Sequence, residues 1–220
     1  MFEILEQSYL GDLVDTYPMA SKVFAKYGLD FCCRGQRSLA TACIQSNVQK
    51  KEVLEELIAI KDSTPTQLWS SASNKELIQH ILDHYHAPLY ENIPCLENLL
   101  TKVVKTHSTK GCEYLNALRA VFFSFSKDLT AHMAKEEQIL FPWILSNEDS
   151  SPSAPIQCML VEHERTGRSL EHMSVLTNGF KAPKHACTAW RSLYVELESL
   201  CFQMRMHIHI ENNILFPRFV

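Results

Sequence analysis

The sequence predicts an all-α protein in which a small helical N-terminal domain precedes an antiparallel up-down four-helix bundle. Glycine supplies only 6 of the 220 residues, which disfavours the glycine-rich turns of sheet proteins. Four long amphipathic segments, joined by short loops, have the pattern of an up-down bundle and lie at roughly 74–104, 112–145, 155–177 and 184–217. An eleven-residue motif occurs in both the second and the fourth segment, so the bundle contains an internal repeat.

The chain before the bundle consists of shorter elements, and we assign residues 1–61 to a small helical domain. Gly28 has the features of a helix C-cap, and Ser38 has those of an N-cap. Residues 48–60 show the spacing of an amphipathic helix. Cys32 and Cys33 are expected on a loop of this domain.

A change of composition marks the start of the bundle. Residues 62–73 are rich in Ser, Thr and Pro and lack apolar periodicity, which predicts a linker. Ser73 and Glu76 then match the capping box that begins many helices. The bundle is therefore expected to occupy residues 74–220.

Composition and charge exclude several classes of protein. The formal net charge of −4 provides no basic surface for nucleic acid, and no apolar run is long enough to cross a membrane. The first residues are acidic where a secretory signal carries lysines, so we expect a cytoplasmic protein. The 8 cysteines are scattered and are expected to be reduced thiols, mostly filling the core.

The repeated motif has the residue types of a metal site. His132 and Glu136 match His207 and Glu211 in the pattern H-x-x-x-E-x-x-I-L-F-P, 75 residues apart. A spacing of four places each histidine beside its glutamate on one helix face. An imidazole nitrogen and a carboxylate one turn apart can reach a common metal centre. The proline of each copy is expected to end its helix.

Helix phase places both pairs on the apolar face of their helices. Their neighbours on those faces include Leu118, Phe122, Phe125 and Leu129 in one segment and Trp190, Leu193, Leu197 and Leu200 in the other. Ionisable groups aimed at a core are costly unless they are paired or bind a metal. Glu137 and His209 lie off these faces, so replacing either one is expected to leave metal binding intact.

The remaining two segments should supply further ligands. On the third segment His163 lies at the centre of an apolar face formed by Ile156, Leu160, Gly167 and Leu170. On the first segment, His84 and His86 are about equally placed relative to the apolar residues before Pro88. The apolar residues after Pro88 favour His86, and His84 remains the alternative.

The donor set favours two iron ions. Four histidines and two glutamates exceed the ligands of one tetrahedral zinc and fit two adjacent ions. Imidazole with carboxylate suits iron, with manganese or zinc as substitutes. One glutamate from each repeat is placed to bridge the ions, which predicts an oxo-bridged, carboxylate-bridged diiron centre. Ferritin-like cages use Glu-x-x-His motifs and more carboxylates, so a ferroxidase is disfavoured. Open positions on iron would accept NO or O2.

Two motifs together resemble a known family. The paired H-x-x-x-E motifs resemble the hemerythrin-like (HHE cation-binding) fold, and Y-x-x-D-[FY]-C-C-x-G at residues 27–35 resembles the N-terminal domain of iron–sulfur cluster repair (repair of iron centres) proteins. The resemblance implies a cytoplasmic diiron protein that helps to restore clusters damaged by nitric oxide or peroxide. Its ligands would be the residues that helix phase selects: His86, His132, Glu136, His163, His207 and Glu211.

The accessory residues differ in part from the family pattern. Arg34 replaces the first glycine of the usual Cys-Cys-Gly-Gly, and Asp128 occupies a position where the family usually has Glu. Glu162 is expected on a solvated face or as a support to the ligands. Cys32 and Cys33 have arginines nearby that are expected to lower their pKa, and the thiols would then bind iron, NO or another sulfur.

Three functions remain compatible with the sequence. The favoured one is a diiron protein that holds and donates iron to damaged iron–sulfur proteins under nitrosative or oxidative stress. The alternatives are an enzyme that reduces NO or peroxide, and a hemerythrin-type O2 or NO sensor or carrier. The sequence leaves open whether the protein acts as an enzyme and whether it is a monomer or a homodimer.

Overall fold

A computed structural model describes residues 6–60, 68–108, 112–146 and 152–220. Within these ranges the chain forms helices and no β-strand, which confirms the all-α prediction. None of the helices in the described ranges combines the length and the apolar character needed to cross a membrane. The chain divides into two compact units, residues 1–77 with 205–220 and residues 78–204. The predicted boundaries at residues 61 and 73 stay a prediction.

The described part of the first unit includes the short helices α1 (Leu10–Thr16), α2 (Ala20–Lys26), α3 (Leu39–Gln45) and α4 (Lys50–Ile60). Two of the predicted caps are present. Gly28 has a φ of 66°, a left-handed conformation that suits the residue after a helix. The Oγ of Ser38 accepts the backbone N–H of Thr41 at the start of α3. The loop between these two caps carries Cys32 and Cys33.

The predicted linker lies partly outside the described residues, and its described part is structured. Residues 69–71 form a 3-10 turn, and the Trp69 N–H donates to Asp15 at 3.0 Å. Near the C-terminus, the Arg218 guanidinium donates to the carbonyl oxygens of Trp69, Ser70 and Ala72. These bonds hold residues 69–72 against other parts of the first unit, so the described end of the predicted linker is ordered by contacts.

The four predicted bundle segments all form helices. The first runs from α5 (Asn74–Ile81) through a π-helical turn (Leu82–His86) into α6 (Ala87–His107). The others comprise α7 (Tyr114–Lys135) with a π-turn (Glu136–Leu140) and α8 (Phe141–Ser146), α9 (Ser153–Leu176), and α10 (Thr188–Ile210) with a π-turn (Glu211–Leu215). At the start of α5, Ser73 and Glu76 exchange the hydrogen bonds of the predicted capping box.

The apolar faces of the second unit form its core largely as helix phase predicts. The predicted face residues that are buried include Leu118, Phe122, Phe125, Leu129, Trp190, Leu193, Leu197 and Leu200. The third segment differs, because Leu160 is only half-buried and the neighbouring Met159 is buried in its place. The face of α9 is therefore rotated slightly from the predicted one.

Candidate metal centre

Three π-helical turns carry candidate ligands. His86 is the last residue of the turn Leu82–His86, while Glu136 and Glu211 are the first residues of the other two. A π-turn widens the helix by one residue, and such insertions are frequent at functional sites.

A proline follows each π-turn at the second position: Pro88, Pro142 and Pro217. Proline lacks an N–H and its ring clashes with the carbonyl four residues earlier in a regular α-helix. A π-turn shifts that carbonyl, so the chain can remain helical through the proline. The prediction that both motif prolines end their helices is therefore wrong for Pro142, which lies inside α8.

Within the second unit, the carboxylate of Glu136 is surrounded by imidazole nitrogens. His132 Nε2 lies 3.1 Å from Glu136 Oε1, His163 Nε2 lies 3.9 Å from the same oxygen, and His86 Nε2 lies 3.5 Å from Oε2. The Nε2 atoms of His132 and His163 are 3.0 Å apart. Glu136 is fully buried and each histidine is at most 4% exposed.

Two outer carboxylates orient these imidazoles. Glu137 Oε1 lies 2.8 Å from His86 Nδ1, and Glu162 Oε2 lies 2.9 Å from His132 Nδ1. Glu162 is also paired with the ammonium of Lys135. Burial tends to raise the pKa of Glu162, but the hydrogen bonds from Lys135 and His132 hold it below its usual value. Both outer carboxylates are therefore suited to accept a proton-bearing Nδ1.

The hydrogen bonds from the outer carboxylates determine which ring nitrogen of His86 and His132 carries the proton. A carboxylate only accepts hydrogen bonds, so Nδ1 of His86 and of His132 must carry the proton. In the neutral imidazole, Nε2 then presents a lone pair towards the carboxylate of Glu136. Two electron-rich groups at this distance require a proton or another cation between them. A bound metal ion meets that requirement.

The second half of the repeat lies in the other unit. His207 Nε2 is 3.0 Å from Glu211 Oε1, close to the 3.1 Å of the matching pair in the second unit. Both residues are fully buried. The structure thus places all six predicted ligands in buried positions, four in one unit and two in the other.

The accessory candidates occupy different surroundings. His84 is exposed and its Nδ1 is 3.3 Å from the carbonyl of His80, so the structure favours His86 for the buried position. Asp128 borders a cavity of about 160 Å³ that also reaches His132, Glu162 and Arg165. Solvent-accessible space therefore lies beside His132.

Glu137 and His209 were expected on a solvated face or as support to the ligands, and the structure gives Glu137 a supporting contact that its replacement would remove. Glu137 holds His86, and its side chain is 30% exposed. His209 is 2% exposed, its Nδ1 is 3.1 Å from Asn213 Nδ2, and its ring meets the edge of Phe31. Burial lowers the pKa of His209 to about 4. The phase of α10 was assigned correctly, but a second face of this helix is also covered.

The cysteines also differ from their predictions. The pKa of Cys32 is raised, not lowered, because of the hydrogen bond with Cys33, burial, and the nearby charge of Asp30. Arg37 instead pairs with the side chain of Gln45. Only some of the other thiols fill the core, since Cys95, Cys158 and Cys187 are exposed. No disulfide forms among the described cysteines.

The outer carboxylates provide a test of the centre. Glu137→Gln and Glu162→Gln replace an acceptor that fixes a ligand imidazole, so we expect each to weaken metal retention about 10–100-fold. The measurement is metal content after dialysis against a graded series of chelator concentrations. Glu164→Gln is the control, because Glu164 is exposed and its nearest partner is Arg168. Equal retention by all three variants would contradict this role.

Comparisons with known proteins agree with this chemistry. The family model described as "Hemerythrin HHE cation binding domain" matches residues 77–219, and the ScdA_N model, described as "Domain of Unknown function (DUF542)", matches residues 6–61. The chain is 37% identical over 215 residues to the "Iron-sulfur cluster repair protein YtfE" of Cronobacter sakazakii, covering 95% of this chain and 94% of that protein. It is 36% identical over 209 residues to the protein of the same name from Escherichia coli O157:H7, with the same coverage.

Both family matches and both relatives extend over the regions that the sequence motifs selected. The buried histidines and glutamates lie within the hemerythrin match, and the Cys-Cys loop lies within the ScdA_N match. The chain therefore belongs to the family of iron–sulfur cluster repair proteins, with an ScdA_N domain followed by a hemerythrin HHE cation-binding domain.

Proposed function

We propose that this protein holds two iron ions in one diiron centre and helps to repair iron–sulfur clusters damaged by nitrosative or oxidative stress in the cytoplasm. Its ligands would be His86, His132, Glu136, His163, His207 and Glu211. The buried carboxylate of Glu136, with three imidazoles directed at it, is the observation that carries the proposal.

The internal repeat supports a ligand set drawn from both halves. His132 with Glu136 and His207 with Glu211 have the same spacing, the same π-turn and nearly the same separation. A bridging carboxylate from each half would give both ions equivalent surroundings. The donor set, with its four neutral imidazoles and two carboxylates, suits iron better than a thiolate-selective metal.

The names of the two relatives support a role in the repair of iron–sulfur clusters. Both are described as iron–sulfur cluster repair proteins, which makes damaged iron–sulfur proteins the expected partners. The diiron centre would supply redox-active iron and binding positions for NO or O2. The chain's own part is to hold the imidazoles in one tautomer through Glu137 and Glu162. Reduction of NO or peroxide at the same centre is the alternative function.

An anaerobic repair assay tests this function. We expect the purified protein to contain about two iron ions per chain and to restore an iron–sulfur enzyme inactivated by NO. The measurements are iron content, the absorption of the diiron centre, and recovery of the damaged enzyme. A metal-free preparation is the control and should not restore it. Iron near zero in protein made with ample iron would contradict the metal assignment, while NO consumption without repair would favour the alternative function.

A further inference from the structure

A second group of metal-binding side chains lies on the loop after α2. Cys32 Sγ is 3.3 Å from Asp30 Oδ1 and 3.9 Å from Cys33 Sγ. One ligand atom from each of the three residues lies within 4.8 Å of the others. These residues lie in the first unit and are not among the six proposed diiron ligands.

The separations match the edges of a tetrahedral site. Two thiolates at about 2.3 Å from a metal are about 3.8 Å apart, and a thiolate and a carboxylate oxygen about 3.6 Å apart. The observed values of 3.9 Å and 3.3 Å are close to these. Little movement of the side chains is therefore needed to enclose an ion.

The backbone holds the carboxylate in place beneath the sulfurs. Asp30 Oδ1 accepts the N–H of Cys33 at 2.9 Å and that of Cys32 at 3.2 Å. Such a turn fixes an aspartate side chain on the residues that follow it. Cys32 is buried and Cys33 is partly exposed, so solvent can reach the group from the side of Cys33.

The surroundings of Cys32 oppose its ionisation in the absence of a metal. The hydrogen bond with the Cys33 sulfur raises the pKa of the Cys32 thiol, and burial and the Asp30 carboxylate raise it further. A divalent cation reverses this balance, because it attracts all three groups and deprotonates a coordinated thiol. The same neighbours that make the Cys32 thiol a poor nucleophile make it a suitable metal ligand.

We propose that Asp30, Cys32 and Cys33 bind one thiophilic divalent cation, with a fourth position open to water or to a thiolate of a partner protein. Two S–H bonds break and two metal–sulfur bonds form, two protons pass to solvent, and no electron is transferred. If the proposed repair function is correct, the physiological cation at this site is ferrous iron. The binding of a divalent cation by the three side chains does not depend on that function.

The loop is attached to the C-terminal π-turn of the same unit. Asn213 Nδ2 donates to the carbonyl oxygens of Phe31 and Cys32, and Asn212 Nδ2 also donates to the latter. A Cβ on Gly35 would lie within 2.7 Å of the end of the Asn213 side chain, so a larger residue there would displace that amide. This π-turn begins at Glu211, one of the proposed diiron ligands. The loop that would hold the cation is therefore hydrogen-bonded to the segment that carries Glu211.

Cobalt binding tests the site. The full chain, with its iron content measured beforehand and its thiols kept reduced, is titrated anaerobically with Co2+. Cys187 is replaced by serine in every sample, because its Sγ lies 3.2 Å from His107 Nε2 and could bind cobalt independently. We expect a thiolate-to-cobalt charge-transfer band that saturates at one added cobalt per chain, and that Cys32→Ser abolishes it.

Two further variants make the result specific. Asp30→Asn keeps an oxygen for the backbone N–H groups but loses the charge, and should weaken cobalt binding about 10–100-fold. Cys95→Ser, at an exposed thiol on α6, should leave it unchanged. Absence of the band in the parent protein, or its persistence in Cys32→Ser, would overturn the site. Asp30 is exposed, so its variant remains informative if Cys32→Ser fails to fold. Low iron in the same samples would count against the diiron proposal alone.

Discussion

Replacing Glu136 with alanine is expected to reduce the iron content at least about tenfold, the largest loss from any single change in the second unit. The carboxylate of Glu136 lies within 3.1–3.9 Å of three imidazole nitrogens, so under the proposed assignment its removal takes away a ligand shared by both ions. Glu211→Ala is expected to behave in the same way, because Glu211 occupies the matching place in the repeat. Iron per chain and the absorption of the diiron centre measure the effect.

Matched controls separate loss of a ligand from loss of the fold. Glu164→Ala changes an exposed glutamate on α9 and should retain full iron content. Helix content by circular dichroism should be similar in all three proteins. A Glu136→Ala variant that retains two irons would show that this carboxylate is not a bridge, and the six-ligand assignment would fail.

The buried ligand positions could be predicted because helix phase depends only on local geometry. His132 and Glu136 fall among residues such as Phe125 and Leu129, and the structure buries all four. The choice between His84 and His86 needed information from beyond Pro88, because the apolar pattern before it did not discriminate. The π-turn that ends at His86 changes the phase at that point. A proline two residues after a candidate ligand was the available signal for this turn.

The surroundings of His209 could not be predicted from its own helix. A period of 3.6 residues describes one buried face, but His209 contacts Phe31, which lies 178 positions earlier in the sequence. The same holds for Asn212 and Asn213, which bond to a loop of the N-terminal domain. These contacts join parts of the chain that are distant in sequence, and local patterns carry no information about them.

The pKa of Cys32 was predicted in the wrong direction for a related reason. Sequence proximity of Arg34 and Arg37 suggested a positive environment, but neighbours along a loop do not fix where side chains point. Arg37 turns to Gln45, and Arg34 lies 3.8 Å from the far oxygen of Asp30. The groups in contact with Cys32 are a carboxylate and a second thiol, and both oppose its ionisation.

Deleting residues 1–61 is expected to lower the iron content and the thermal stability of the remaining chain. In the intact protein, Asn212 and Asn213 donate to the carbonyls of Phe31 and Cys32, and Phe31 covers His209. The deletion would remove these half-buried hydrogen bonds and uncover the ring of His209, close in sequence to Glu211 and His207. Each lost hydrogen bond is worth about 0.5–1.5 kcal/mol, and the newly exposed apolar surface adds to the loss of stability.

A single substitution at Gly35 should disturb the same contact between the loop and Asn213. In Gly35→Ala, the new methyl group meets Asn213, and forcing a side chain aside in a packed region costs about 1–3 kcal/mol. Gln36→Ala, at the next and exposed position, is the control and should match the parent. Iron content, melting temperature and repair of an NO-damaged enzyme are measured on the same preparations.

The double variant Cys32→Ser with Cys33→Ser distinguishes support of the fold from chemistry at the thiols. Serine preserves the backbone carbonyls that Asn212 and Asn213 use, so the absorption of the diiron centre should persist while repair activity falls. If the deletion instead retained its iron and its repair activity, residues 1–61 would be dispensable. If the double serine variant lost the diiron absorption, the thiols would belong to the diiron centre itself. Comparison of the two variants therefore separates two roles of the loop. Its backbone supports the segment that carries Glu211, and its sulfur atoms take part in repair.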